Sequence, residues 1–142
     1  MTDTVHAPAP AFDGWPEAIR MELETGAMNP RVGTRLLSET GRVRVWEIRL
    51  APGERIGFHR HVLDYFWTAV TPGRALSRQG DGTQVEAVYT AGQTQHSVYG
   101  RGDAKVHDLE NIGDTELVFT TVEFLDSANA PMALSGARDD GA

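Results

Sequence analysis

From residue 32 onward the chain is a succession of short apolar runs, each closed off by residues that favour turns. About nine can be read in order: Val32–Glu39, Arg42–Leu50, Gly57–His61, Tyr65–Val70, Ala75–Gln79, Gln84–Thr90, His96–Tyr99, Val106–Glu110 and Glu116–Leu125. Between them lie Ala51-Pro52-Gly53, Thr71-Pro72-Gly73, Gly80-Asp81-Gly82, Ala91-Gly92 and Gly113-Asp114, all with turn chemistry. Strands at this spacing must bury their apolar faces against one another, which predicts an all-β sandwich or barrel. Gly80-Asp81-Gly82 predicts a tight hairpin, because glycine supplies positive φ without steric cost. In Arg42–Leu50 the alternation is broken: Val43 and Val45 share one parity, Trp46, Ile48 and Leu50 the other. That predicts either a bulge near Trp46 or burial of both faces.

The ends read differently. Residues 1–12 are rich in Ala and Pro and predict a disordered leader, which includes His6. Residues 13–31 predict a short helical segment, with Trp15–Met21 as its helix, Pro16 at the first position and Glu17 in the first turn. The barrel then occupies 32–125, and the small, polar, aperiodic stretch 126–142 predicts a flexible tail. A length of 142 residues, 40% of them apolar, suffices for one domain with its own core.

Chemistry enters with His59-Arg60-His61. Side chains at i and i+2 of a strand share a face, so these two imidazoles can reach one ion. His107 sits in the later strand Val106–Glu110 and supplies a third nitrogen if the strands bring it alongside. Cysteine is absent, which removes thiolate ligands, disulfides and Cys–His catalysis, and suits a reducing cytosol. Neither a G-x-S-x-G elbow nor a phosphate-binding G-x-x-x-x-G-K-[ST] loop occurs. The formal net charge is −7, and the cations are singly scattered arginines plus the lone Lys105, so nucleic acid is not an expected partner. No apolar stretch approaches the roughly 20 residues that span a bilayer, and the first twelve residues lack a secretory pattern. These features predict a cytoplasmic protein with no membrane partner.

The glycine and histidine frame resembles the cupins, small jelly-roll barrels of double-stranded β-helix topology. Their first motif reads G, five residues, H-x-H, three or four residues, E, six residues, G. Gly53, His59, His61 and Gly73 match it, and counting back from Gly73 puts Phe66 where the family has its glutamate. Their second motif reads G, five residues, P-x-G, two residues, H, three residues, N. Gly92 and Gly100 match, Val98 replaces the proline, and His107 with Asn111 stands four residues late, which implies a longer loop at Arg101–Lys105. The resemblance covers roughly residues 32–125.

It implies a divalent metal held by His59, His61 and His107, with iron, zinc, nickel or manganese all admissible. With the glutamate gone, three neutral imidazoles leave the ion its full charge, which favours an anionic or chelating small molecule in the open positions. The expected chemistry is that of a dioxygenase, or of an isomerase or lyase. The alternative is a non-catalytic cupin that binds a ligand or metal. Asp64, two positions before Phe66, is the expected stand-in carboxylate, and Asp64 and His96 are the expected pocket acid/base groups. Tyr65 is expected on the outer face, Phe66, Trp67 and Val70 in core or dimer packing, Asn111 in a turn, and Arg55 exposed near the first histidine strand. The family pattern also implies a homodimer, with an N-terminal strand such as Val32–Glu39 completing the neighbouring sheet.

Overall fold

The broken alternation of residues 42–50 resolves once the inward positions are known. In the computed structural model, which describes residues 10–134, β2 (Val43–Leu50) buries Arg44, Trp46, Ile48 and Leu50 in strict alternation. It pairs with β9 (Leu117–Phe124) in unbroken register from Val43↔Phe124 to Leu50↔Leu117. No bulge lies in β2. A polar residue, Arg44, occupies an inward position, and that is what disguised the period. The irregularity belongs to the neighbouring edge strand, β1 (Arg35–Glu39), between Leu36 and Ser38.

Among the described residues, nine strands form two antiparallel sheets. The remaining strands are β3 (Arg55–His61), β4 (Tyr65–Ala69), β5 (Gly73–Arg78), β6 (Gln84–Tyr89), β7 (Thr94–Ser97) and β8 (Lys105–Asn111). One sheet runs β1-β2-β9-β4-β7 and the other β3-β8-β5-β6. This is the expected all-β jelly-roll barrel with one short helix. Its core is closed by Ile48, Leu50, Ile56, Ala69, Leu109, Leu117 and Phe119, all less than a tenth exposed. The β5–β6 hairpin turns at Gly80-Asp81-Gly82 as expected, with Gly82 at φ 91° and Asp81 Oδ1 accepting the Thr83 amide.

Helix α1 (Glu17–Gly26) begins after Pro16 and runs a turn beyond the expected Met21. It lies against β3, where a Cβ on Gly26 would stand 2.6 Å from Phe58 Cβ. The chain leaving the helix continues to cover that edge. Asn29 donates its side-chain amide to Phe58 O, and its carbonyl accepts the Arg60 amide. An otherwise open sheet edge is thereby closed.

Residues 1–9 of the expected leader and 135–142 of the expected tail lie outside the described residues. The described parts of both are tied to the barrel. Phe12 N donates to Gly82 O, Ser127 Oγ accepts the Asp64 amide, and Met132 O accepts from Arg44. No described helix is long and apolar enough to cross a membrane.

Candidate metal centre

A bulge in β3 sets the direction of both histidines. Ile56 pairs with Leu109 of β8, but the next pairing is His59 with His107, so three steps of β3 face two of β8. Strand parity flips across Gly57-Phe58. Ile56 points into the barrel, Phe58 points out under α1 against Trp15, and His59 and His61 then point in. The Phe58 amide is accepted by Glu22 Oε2 of α1 at 2.9 Å. Glu22 also holds Arg55 through two oxygens, at 2.8 and 3.1 Å. Burial opposes its charge, yet Arg55 and the Phe58 amide outweigh that and keep the carboxyl below its ordinary range.

The three rings converge inside the barrel. Their centroids lie 5.1 Å (His59–His61), 4.7 Å (His59–His107) and 5.0 Å (His61–His107) apart. One nitrogen from each falls within 4.8 Å of the others. His61 Nε2 and His107 Nε2 stand at 3.1 Å, close to the ~3.0 Å between adjacent ligands at right angles on an ion with bonds of about 2.1 Å. His59 and His61 are almost wholly buried.

The outer ring nitrogens fix two tautomers. His59 Nδ1 donates to Gly57 O at 2.8 Å, which leaves a lone pair on Nε2. Ser77 Oγ donates to Asp108 O and accepts from Gln79, so its remaining lone pair takes the His107 Nδ1 proton at 3.3 Å. His107 Nε2 is therefore also a lone-pair donor. Metal-bound histidines are held in this way, with the distal N–H on a carbonyl or hydroxyl. Among the described residues, His61 Nδ1 is buried without a partner. With Nδ1 carrying the proton, His61 Nε2 offers a third lone pair toward the same centre. The donor set fits a divalent cation.

All three imidazoles are kept neutral. Burial pushes His59 down to about 4, against the pull of its bond to Gly57. Burial and the neighbouring rings push His61 well below its ordinary value, and burial with His59 and Lys105 does the same to His107. The carboxylate that acts on His59, Asp108, points the other way. It is fully buried on the outer side of β8 and bonded by Arg55 and Arg78.

Beside the histidines lies a cavity of about 60 Å³, room for a few water-sized groups. Val32, Ile48, Leu109 and Phe119 line it together with Tyr65, Trp67 and Tyr89. Tyr65 is not on the outer face. Its ring stacks on His61 at 4.1 Å and 11° and is buried. Phe66 is the outward residue, against Phe124 and His96. Tyr65 keeps the inward parity of His61, so the inward place is found by counting forward from His61, and the count back from Gly73 across the turn between β4 and β5 lands one residue late. The inward place sought for a carboxylate is thus held by the Tyr65 ring.

Neither expected acid/base residue lines the cavity. Asp64 accepts the Tyr99 amide on Oδ1 and the Phe124 amide on its carbonyl, the work of a turn residue. His96 is exposed on β7, paired across the sheet with Phe66. Arg55 is not exposed but bound between Glu22 and Asp108. Asn111 is a turn residue as expected, bonding Leu50 O, Thr115 O and the Gly113 amide.

Three residues on the inward parity of their strands were given no role at the site by the sequence reading. Trp67 lies in the cavity wall. Glu123 of β9 is buried opposite Tyr65, accepts Trp46 Nε1 at 2.8 Å, and burial raises it to about 7. Lys105 is the residue of β8 directly opposite His61. Its signal was present: it precedes His107 by two positions, the same spacing that singled out His59 and His61.

No protein-family model matches the chain, and no curated protein matches it. Solved structures do. A cupin domain from Bordetella pertussis is 31% identical over 68% of this chain and 95% of its own, with a TM-score of 0.55. A protein with a double-stranded β-helix domain from Klebsiella pneumoniae is 26% identical over 80% of this chain and 94% of its own, with a TM-score of 0.53. A Bacillus halodurans protein, 20% identical over 92% of this chain and 94% of its own, shares the fold with a TM-score of 0.51.

Proposed function

The chain belongs to the cupin family, and from that premise we propose that it binds one divalent metal through Nε2 of His59, His61 and His107 and acts on a small anionic, chelating molecule. The observation that carries this reading is the convergence of three imidazoles, two with their distal N–H already committed to Gly57 and Ser77. When bound, iron, zinc, nickel or manganese would polarise a chelated carbonyl or carboxylate, and iron would add reactivity toward dioxygen.

The rest falls to the protein. The histidines bring no charge, so the ligand must bring it. The Tyr65 ring, stacked on His61, fixes that imidazole and excludes a protein carboxylate from its side. Trp67, Tyr89 and Phe119 pack edge to face in the wall, which keeps the chamber apolar and small. A large substrate can present only one end to it.

Metal analysis of the purified protein tests the reading, followed by alanine at each histidine. One equivalent per chain, lost in every variant, is the expected result. Wild-type protein that takes up no stoichiometric metal defeats it.

A second reading, a non-catalytic metal- or ligand-binding cupin, draws on the location of Asp64 and His96 outside the cavity lining. Turnover of chelating acids by the metal-loaded protein separates the two. We further propose a cytoplasmic homodimer. The absence of cysteine supports the compartment, and the exposed edge strand β1, with Leu37 44% exposed, supports the association. Sedimentation showing monomer alone would remove the dimer.

A further inference from the structure

Strand β9 turns Leu117, Phe119, Thr121 and Glu123 inward along the middle of its sheet, all of them buried. Three are accounted for. Leu117 and Phe119 close the core, and Glu123 accepts the indole N–H of Trp46. Thr121 differs. It stands in register between Trp46 of β2 and Trp67 of β4, is 2% exposed, and lines the cavity that holds the three histidines. Among the described residues its hydroxyl makes no hydrogen bond. Valine would fill the same space with no polar atom to desolvate, so an unpaired hydroxyl here works against the fold. The other polar groups of the wall are placed differently. The Tyr65 hydroxyl is engaged by Ser97 and Tyr99, and Trp67 and Tyr89 stay partly exposed. Apart from the histidine nitrogens, Thr121 is thus the buried, uncommitted polar group among the described lining residues.

We infer that the Thr121 hydroxyl is the ligand-orienting group of this cavity. It donates a hydrogen bond to the far side of a small molecule whose other oxygens chelate the metal. The histidines project from one sheet, on β3 and β8, and Thr121 from the other. A cavity of about 60 Å³ is small enough for one compact ligand to touch both walls. The ligand class is therefore a short anion with two adjacent oxygen donors at one end and a further acceptor oxygen at the other, as in a small dicarboxylate or 2-oxo acid. This rests on the metal reading above. It adds a second contact, independent of the metal, that fixes which way round the ligand sits.

The test compares wild type, Thr121→Val and Thr121→Ser, each loaded with Co(II) and titrated with oxalate and, separately, with methanethiolate. Oxalate keeps two oxygens free when two chelate, whereas methanethiolate is an anion with only a methyl group beyond its donor atom. Cobalt's visible absorption reports both binding events. In Thr121→Val, oxalate should bind about ten- to a hundredfold more weakly, while methanethiolate and Co(II) itself bind as in wild type. Thr121→Ser should keep most of the oxalate affinity. Metal-free Thr121→Val should melt no lower than wild type, because the fold loses no hydrogen bond. Oxalate binding unchanged in Thr121→Val overturns the inference, as does an equal loss of oxalate and methanethiolate. A lower melting temperature would give the hydroxyl a partner within the fold and overturns it too, as does wild-type cobalt protein that binds no oxalate. Failure of the wild type to bind Co(II) at all sinks the metal reading instead, and this inference with it.

Discussion

Glu22 Oε2 accepts the amide of Phe58 at 2.9 Å, from a helix to a strand 36 residues away. That amide sits in the β3 bulge that flips parity between Ile56 and His59. A ladder partner is missing there, and the carboxylate takes its place. The same bulge brings Gly57 within reach of Glu22, where a Cβ would stand 2.8 Å from Oε2. Gly57 O then anchors His59 Nδ1. A helix on the outside of the barrel thus sets the pose of a ring on the inside.

Glu22→Ala should therefore loosen His59 as well as the fold. The carboxylate is about a third exposed, so the lost charged hydrogen bonds are worth about 1–2 kcal/mol, and metal affinity should fall about tenfold. Urea unfolding and a competitive metal titration measure the two effects. A stability loss with unchanged metal affinity would show that the bulge holds without the helix.

Gly26→Ala places a Cβ 2.6 Å from Phe58 Cβ, with the Phe58 backbone behind it. Neither side can yield without moving α1 off β3, so overpacking should cost about 1–3 kcal/mol. Thermal unfolding checks this; a neutral substitution would mean that the helix rides more loosely than its contacts indicate.

Ser77→Ala removes the acceptor of His107 Nδ1 and leaves that buried N–H unpaired. Loss of such an outer partner should weaken metal binding about ten- to a hundredfold while the ligand set stays intact. The metal stoichiometry at saturation should remain one, which distinguishes this variant from His107→Ala. Conversely, a chelator should lower the melting temperature of the metal-loaded wild type, since a site built from three distant histidines would favour the folded state.

Buried groups give the metal-free protein opposing pH slopes, with His61 and His107 acting in the same direction as His59 and Glu123 against them. His59 falls from 6.5 to about 4 on folding, so the unfolded chain binds more protons between those values. Its contribution is complete above about pH 6.5 and declines as pH drops toward 4. Glu123 rises from 4.5 to about 7, so the folded chain holds more protons in that window. Its contribution is complete below pH 4.5 and is lost as pH rises to 7. Glu123→Gln should abolish the second slope, so that relative to wild type it gains on the order of 2–3 kcal/mol between pH 4.5 and 7. Unfolding curves across that range test it; parallel curves for the two proteins would contradict the assignment.

The nine strands, their turns and the histidine spacing could be read from the chain because alternation and turn chemistry are local. His59, His61 and His107 were named on that basis together with the family frame. Where the period itself is interrupted, reading failed. Tyr65 and Phe66 were exchanged because the inward place was counted back from Gly73 across a turn instead of forward from His61, and the bulge was sought at Trp46 because Arg44 faces inward beside Glu123. Asp64 and His96 were named for their residue type, yet hydrogen bonds to Tyr99 and Phe124 and an outward register took them away from the cavity.

By itself, then, the sequence determined which segments become strands and which residue types meet at the candidate metal site, since both follow from neighbours a few positions apart. Only the tertiary structure decided which face each strand presents. That choice depends on a bulge capped from a helix, on a lysine set opposite His61, and on a tyrosine ring stacked where an acid was sought. These are contacts between residues dozens of positions apart, and no local pattern specifies them.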